Sequence, residues 1–321
     1  MQALFVICFC IILTGEFHIS CKGRFMRKAE AWCTFFEDNH RYADLINGIG
    51  CGGVQFVKDT DLSEADSTVK QKSRDMLRRV AFGVNFAIVG IEHQEKRDYE
   101  LPLRAMYYDV TNYQKQATKI SKEVRANSKD LDPGEYMYGF KKDSKLNPLV
   151  TFVLYAGEEE WDGPCNLHDM IDFTDIPDSL KGMVSDYKIN VIDIRKFENT
   201  EVFQTEVKQV FDFIRCSNDK KRLLDLVEND VYYKEMDDDA FDVVTKYTNS
   251  KELVKAKDYS VEGGKNDVCK AIRDLMDDSR VEGVEEAARN LLDILSDDVI
   301  AEKLGLTLER VQQLRAQVEC N

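Results

Sequence analysis

Two carboxylates and an amide stand where a hard cation could be held. Asp75 opens one strand-like run, residues 74–82 (RDMLRRVAF). Glu92 closes a second, residues 86–92 (FAIVGIE), and Gln94 follows two residues later. Strand side chains alternate between faces, so Glu92 and Gln94 are expected to point one way and His93 the other. Between the runs, Gly83-Val84-Asn85 has the length and the glycine of a hairpin loop. In such a hairpin the start of the first strand lies beside the end of the second, which brings Asp75 to Glu92. Converging carboxylates repel one another unless a positive charge sits between them. A dication that prefers oxygen ligands and keeps its waters, Mg2+ or Mn2+, suits that place. It would lower the pKa of a bound water and neutralise charge building on a phosphate, while Gln94 orients the attacking water. Acidic residues also end strands on ordinary surfaces, and Asp…Glu-x-Gln is a short motif by itself.

Other groups compete for a role. Asp44 and Asp66 are candidate auxiliary acids, although each also reads as a helix-face or loop carboxylate. Arg104 follows on the next predicted helix and could contact phosphate or neutralise an acidic neighbour such as Asp109. His18, His40 and His168 have no partners at ligand spacing, and the nine cysteines contain no CxxC pair. Neither a zinc site nor a disulfide scaffold is indicated, and reduced thiols in the cytoplasm are expected. Gly48, Gly50, Gly52 and Gly53 form a glycine cluster, but no Lys-Ser/Thr follows and no strand precedes. The cluster therefore reads as a helix stop, and no small-molecule cofactor is implied.

The elements that must position these residues follow from periodicity. Residues 28–47 have helical spacing through Trp32, Phe35, Phe36, Tyr42, Leu45 and Ile46. The run 86–92 is apolar on both faces, as a central, doubly covered strand would be. A long helix is predicted over about Leu101–Val124, with Pro102 in its first turn. Its apolar stripe is read as Leu103, Val110, Ala117 and Val124 beside Met106, Tyr113 and Ile120. Residues 149–155 (LVTFVLY) and 188–194 (KINVIDI) predict two further strands. The resulting order is helix, hairpin, helix, strand, strand. From Phe203 onward the pattern is helical, with a weak strand signal around Val231–Tyr233, and Asp237–Asp239 reads as a solvated loop or helix start.

Several of these segments together resemble the transposase-like PD-(D/E)XK nuclease family, relatives of the recombination-promoting nucleases. They are RDML at 74–77, GIEHQ at 90–94 and DYELPLRAMYYD at 98–109, with RYADLIN at 41–47, VTFVLY at 150–155 and DYKIN at 186–190. The resemblance spans about residues 24–215. It implies an α/β fold with a restriction-endonuclease-like core and a C-terminal helical extension. It also implies Mg2+-dependent DNA cleavage in recombination or transposition. The family's metal-binding carboxylates fall on Asp75 and Glu92. The usual third catalytic residue is lysine, and this chain has Gln94 there, a departure that the resemblance implies its branch of the superfamily shares. Glutamine supplies no positive charge, so water activation would lean harder on the metal.

Charge is divided unevenly. Residues 1–130 carry a balance of +2 (19 basic, 17 acidic) and residues 131–321 a balance of −17 (25 basic, 42 acidic). An acidic surface repels phosphate, which excludes the second part as a broad non-specific nucleic-acid binder. At the N-terminus, residues 3–14 (ALFVICFCIILT) are apolar but short of the roughly 20 residues a spanning helix needs. They read as an anchor, as a signal lacking its basic flank, or as an over-extended start ahead of Met26, and the last is preferred. Near the C-terminus, residues 299–311 (VIAEKLGLTLERV) are similar to a helix-turn-helix unit. Its second helix could contact DNA through Arg310 and Arg315, or simply pack or dimerise. The expected division is an N-terminal extension over 1–25, a nuclease-like domain over 26–218, an acidic helical region over 219–280 and a helical hairpin over 281–321. A metal-dependent DNA endonuclease is the first functional reading. A catalytically weak DNA-binding or regulatory protein built on the same fold is the second. DNA is the expected partner, a membrane is not, and self-association is left open.

Overall fold

A computed structural model describes residues 28–64, 76–82, 85–127, 129, 131–247, 260–261 and 265–319. The apolar N-terminal segment, Asp66, Asp75 and the hairpin residues 83–84 lie outside them. The backbone of Glu92 is described, and its side chain is not.

The architecture is mixed α/β. A five-stranded sheet has the order β1 (Leu62–Glu64), β2 (Met76–Phe82), β3 (Asn85–Gln94), β4 (Leu149–Tyr155), β5 (Asn190–Asp193). The first three strands run antiparallel to one another; β3/β4 and β4/β5 are parallel. Parallel neighbours need a crossover, and the β3-to-β4 connection contains the long helix α3 (Leu101–Asn127) and the short α4 (Pro133–Tyr138). A four-residue helix, α5 (Asp178–Lys181), lies on the way to β5.

Helices cover both faces of the sheet. On β4 the strand alternation sends Phe152 and Leu154 into the main core, while Val153 packs with Leu101 and Ala105 of α3. The main core closes under α1 (Lys28–Phe35) and α2 (Asn39–Leu45), whose Trp32, Phe35, Phe36 and Tyr42 are fully buried. The predicted single helix over 28–47 is therefore two. Asp38 interrupts it by capping α2, its side chain accepting from the His40 N–H at 2.7 Å, as a short acidic side chain does at an N-cap. A π-helical turn, Ile46–Gly50, ends the unit at the glycine cluster.

The long helix lies where its periodicity placed it, but its buried face matches the expected stripe only in part. Leu103 and Val110 of that stripe are 43% and 48% exposed, while Val124 is buried. The other buried residues are Leu101, Pro102, Ala105, Asp109 and Asn112. The last three carry no hydrophobic signal; the Tyr187 hydroxyl donates to Asp109 at 2.5 Å.

After β5 the chain is helical: α6 (Val207–Cys216), α7 (Lys220–Asn229), α8 (Asp238–Thr245), α9 (Val268–Leu291), α10 (Asp297–Leu304) and α11 (Leu308–Glu319). The weak strand signal at Val231–Tyr233 is instead a 3-10 turn, Val231–Lys234. Short strands β6 (Met236–Asp237), β7 (Ser260–Val261) and β8 (Lys265–Asn266) form a second small sheet that the sequence pattern did not signal. Helices α6 and α8 and the start of α9 belong to the main core. Ala288, Leu292, Ile300, Ala301, Val311 and Leu314 form a separate C-terminal core. Among the described residues no helix is long and apolar enough to cross a membrane.

Two buried charges on α2 tie the chain together. Arg41 is 6% exposed and reaches Glu206 (3.3 Å), Asp239 (3.3 Å), Asp237 (3.5 Å) and the Phe35 carbonyl (3.3 Å). The acidic run at 237–239 is thus partly a counter-ion set and not only a solvated helix start. Asp44 accepts from the Gln204 N–H (2.9 Å), the Thr205 N–H (2.8 Å) and the Thr205 hydroxyl (2.7 Å). This is a structural task, which accounts for the Asp44 carboxylate without an auxiliary acid role. Removing such an acceptor strands its donors, at about 1–3 kcal/mol for each buried group. We predict that Asp44→Ala lowers the urea-unfolding free energy by at least about 2 kcal/mol on the same scale; a loss below about 0.5 kcal/mol would show that water replaces the carboxylate.

Candidate active site at the end of the hairpin

Glu92 and Gln94 lie at the end of β3, beside the start of β2; Asp75 is outside the described residues. The antiparallel register runs from Phe82↔Asn85 at the loop to Met76↔Ile91 at the open end. The chain thus enters β2 beside the position just before Glu92. On its other side β3 is paired in parallel with β4, Glu92 opposite Val153 and Gln94 opposite Tyr155. These partners place positions 92 and 94 at the carboxyl end of the parallel strands, the end at which open α/β sheets carry their ligands.

Gln94 is held at both ends of its amide. Nε2 donates to the Lys96 carbonyl at 2.9 Å, and Oε1 accepts from Arg104 Nη2 at 3.2 Å. Arg104 comes from the first turns of α3 and also makes an ion pair through Nη1 with Asp98. Of the two roles considered for Arg104, neutralising an acid is seen with Asp98, and Asp109 accepts from the Tyr187 hydroxyl. The sequence marked Gln94 and Arg104 separately; their contact across ten residues was not anticipated.

His93 occupies the opposite face. It is buried, stacked on Trp32 at 5.8 Å between ring centroids, with Nε2 2.8 Å from the Tyr247 hydroxyl. Trp32 Nε1 lies 3.0 Å from the same hydroxyl. An indole N–H only donates, and a hydroxyl has one proton to give. Tyr247 therefore accepts from Trp32, and its hydroxyl also bonds His93 Nε2, with donor and acceptor set by the imidazole tautomer. Burial, helped by the nearby Lys28 charge, pushes the His93 pKa down to about 3, so the ring is neutral near pH 7. It is a packed histidine that anchors the end of β3.

Behind this anchor a cavity of about 420 Å³ opens at the ends of β3 and β4, lined in part by Lys28, Arg97, Tyr155, Gly157, Arg195 and Tyr247. Lys28 pairs with Glu95 at 2.7 Å, and Arg97 with Glu159 at 3.0 Å. Arg195 donates to the Gly157 carbonyl (2.8 Å), the Ile214 carbonyl (2.7 Å) and the Ser217 hydroxyl (2.9 Å). Sequence reasoning missed Arg195 and Tyr247, because no local pattern links them to the hairpin.

At the C-terminus, α10 and α11 are joined at Gly305, whose left-handed backbone (φ 69°) favours glycine. Ala301 and Val311 are buried at the helix contact. Arg310 pairs with Glu285 at 2.7 Å, and Arg315 with Asp297 at 2.7 Å and the Leu292 carbonyl at 2.9 Å. Both arginines brace the helices of this unit. Among the described residues no group of three His, Cys, Asp or Glu side chains is arranged to hold a metal.

The mixed sheet, with positions 92 and 94 at the carboxyl end of its parallel strands, defines the fold class, and comparison with known proteins supplies the family. The model of the family described as "Putative transposase, YhgA-like" matches residues 55–239, so the chain belongs to that family and with it to the transposase-like PD-(D/E)XK group. No curated protein and no solved structure matches the chain.

The hydroxyl at 247 bonds both Trp32 and His93. Tyr247→Phe would remove both bonds, at about 1–3 kcal/mol for each buried group left without this partner. We expect the urea midpoint to fall accordingly, with the far-ultraviolet circular dichroism of the folded protein unchanged. A midpoint equal to that of the unaltered protein would show that the hydroxyl's two bonds contribute nothing to stability.

Proposed function

We propose that the protein is a metal-dependent DNA endonuclease serving transposition or recombination. The observation that carries this reading is the hairpin register, with Met76 opposite Ile91, which sets the entry to β2 beside the exit of β3. Further support comes from the element order. Helices precede the hairpin, α3 follows β3, and a parallel β4 comes next, the order expected of a restriction-endonuclease-like core. Family membership supplies the link to transposition.

The donor chemistry fits a hard cation. Asp75, Glu92 and Gln94 offer only oxygen ligands from their acidic and amide oxygens, which suits Mg2+ or Mn2+ and excludes a thiolate site. Asp75 and Glu92 would hold the ion, which supplies a bound water of lowered pKa and charge neutralisation at the phosphate. The protein's own residues do the rest. The parallel pairing of β3 with β4 fixes the backbone of Glu92 and Gln94. The Trp32–Tyr247–His93 chain keeps the end of β3 from fraying. DNA is the substrate and partner. Arg310 and Arg315 would have to leave Glu285 and Asp297 to reach phosphate, so we place the principal DNA contact at the hairpin end.

Nicking of supercoiled plasmid tests the reading. Wild-type protein should nick with Mg2+ and not with EDTA, and Asp75→Ala or Glu92→Ala should lower the rate by at least about 100-fold, the scale of losing a principal electrostatic group. Variants that cut as well as wild type would show the centre to be elsewhere. Wild type that binds DNA without cutting would replace this reading with a DNA-binding protein on a nuclease fold.

A further inference from the structure

Resting on the nuclease reading, we propose that Arg104 supplies the positive charge that the strand lacks at position 94, and that Gln94 is the residue that positions it. The resemblance implies a lysine at this strand position in the wider nuclease superfamily, and this chain, with its branch, has a neutral amide there. The structure brings a guanidinium to that amide from the next element. Arg104 Nη2 lies 3.2 Å from Gln94 Oε1, and Nη1 pairs with Asp98.

Donor and acceptor chemistry explains why glutamine fits. Ammonium and guanidinium groups donate and never accept. A lysine at 94 would meet Arg104 donor to donor and charge to charge. Glutamine offers a carbonyl oxygen to the guanidinium and sends its own NH2 the other way, to the Lys96 carbonyl at 2.9 Å. Both ends of the amide are therefore used in one orientation. The charge has moved from strand to helix, and the glutamine is the acceptor that lets it settle there.

The Arg104 side chain is 34% exposed and that of Asp98 18%, so the guanidinium is fixed and yet within reach of a ligand. Its planar, permanently charged fork matches phosphate oxygens. In hydrolysis the water oxygen bonds to phosphorus, the bond from phosphorus to the leaving sugar oxygen breaks, the water's proton departs to solvent and the leaving oxygen is protonated. Arg104 exchanges neither proton nor electrons; it stabilises the negative charge on the non-bridging oxygens as that charge grows.

A double-mutant cycle tests the proposal on the full chain with Arg104→Ala, Gln94→Lys and the two combined. Arg104→Ala should slow plasmid nicking by roughly 100-fold. Gln94→Lys alone should also be slow, because it drives Arg104 away. The combined variant should recover at least about tenfold over Arg104→Ala, a coupling that independent sites do not show. A second readout needs no turnover. With Ca2+ in place of Mg2+, fluorescence anisotropy should show Arg104→Ala binding a DNA duplex more weakly, with the salt slope reduced by about 1. Thermal melting checks that the variants remain folded. Arg104→Ala that cuts and binds like wild type would overturn the proposal and leave the nuclease reading intact. So would a slow Arg104→Ala that Gln94→Lys does not rescue, since Arg104 would then be a structural ion-pair partner. Wild-type protein that never cuts would remove the nuclease reading and this proposal with it.

Discussion

A single phenolic hydroxyl holds the end of the central strand. Tyr247 accepts from the indole N–H of Trp32 and hydrogen-bonds His93 Nε2, and all three side chains are buried. The indole fixes one end of the chain, because it can only donate. The hydroxyl ties β3 to α1 at one end of the sequence and to the turn after α8 at the other. Once His93 is fixed in the core, strand alternation sends Gln94 to the other face, where it meets Arg104. The placement of the polar site thus follows from an uncharged contact behind it.

The same logic explains why much of the acidic second half folds against the N-terminal helices. Arg41 is a buried cation, and a buried cation without partners is strongly destabilising. Its partners are Glu206, Asp237 and Asp239, all distant in sequence. One turn along α2, Asp44 gathers the donors of Gln204 and Thr205. A seven-residue helix therefore carries two opposite charges to two chain segments that cannot find their places by apolar packing alone. Part of the −17 balance beyond residue 130 is in this way internal counter-charge and not surface.

What could be read in the sequence tracks how local each signal is. β3 and β4 were legible because both are continuous apolar runs, covered on both faces. The long helix was legible in extent and only in part in facing, because Ala105, Asp109 and Asn112 give no hydrophobic stripe. The three residues of β1 and the two-residue strands of the second sheet are too short for any periodicity. Asp75, Glu92, Gln94 and Arg104 were each singled out by type and position. The Arg104–Gln94 contact was hidden, since it depends on how α3 leaves the sheet. Tyr247 lies 154 residues from His93, and nothing local joins them.

The end of β3 divides two polar zones that differ in how their charges are held. On the α3 side, one guanidinium is shared between a neutral amide and Asp98. On the core side, Lys28 and Arg97 each meet a carboxylate, and Arg195 is spent on backbone carbonyls and a hydroxyl. Arg104 and Arg195 are thus both held in part by carbonyl oxygens, and Asp98 offsets part of the Arg104 charge. Net charge of −15 over the whole chain disfavours phosphate over most of the surface, so what separates the two sides of β3 is which groups each cation is committed to.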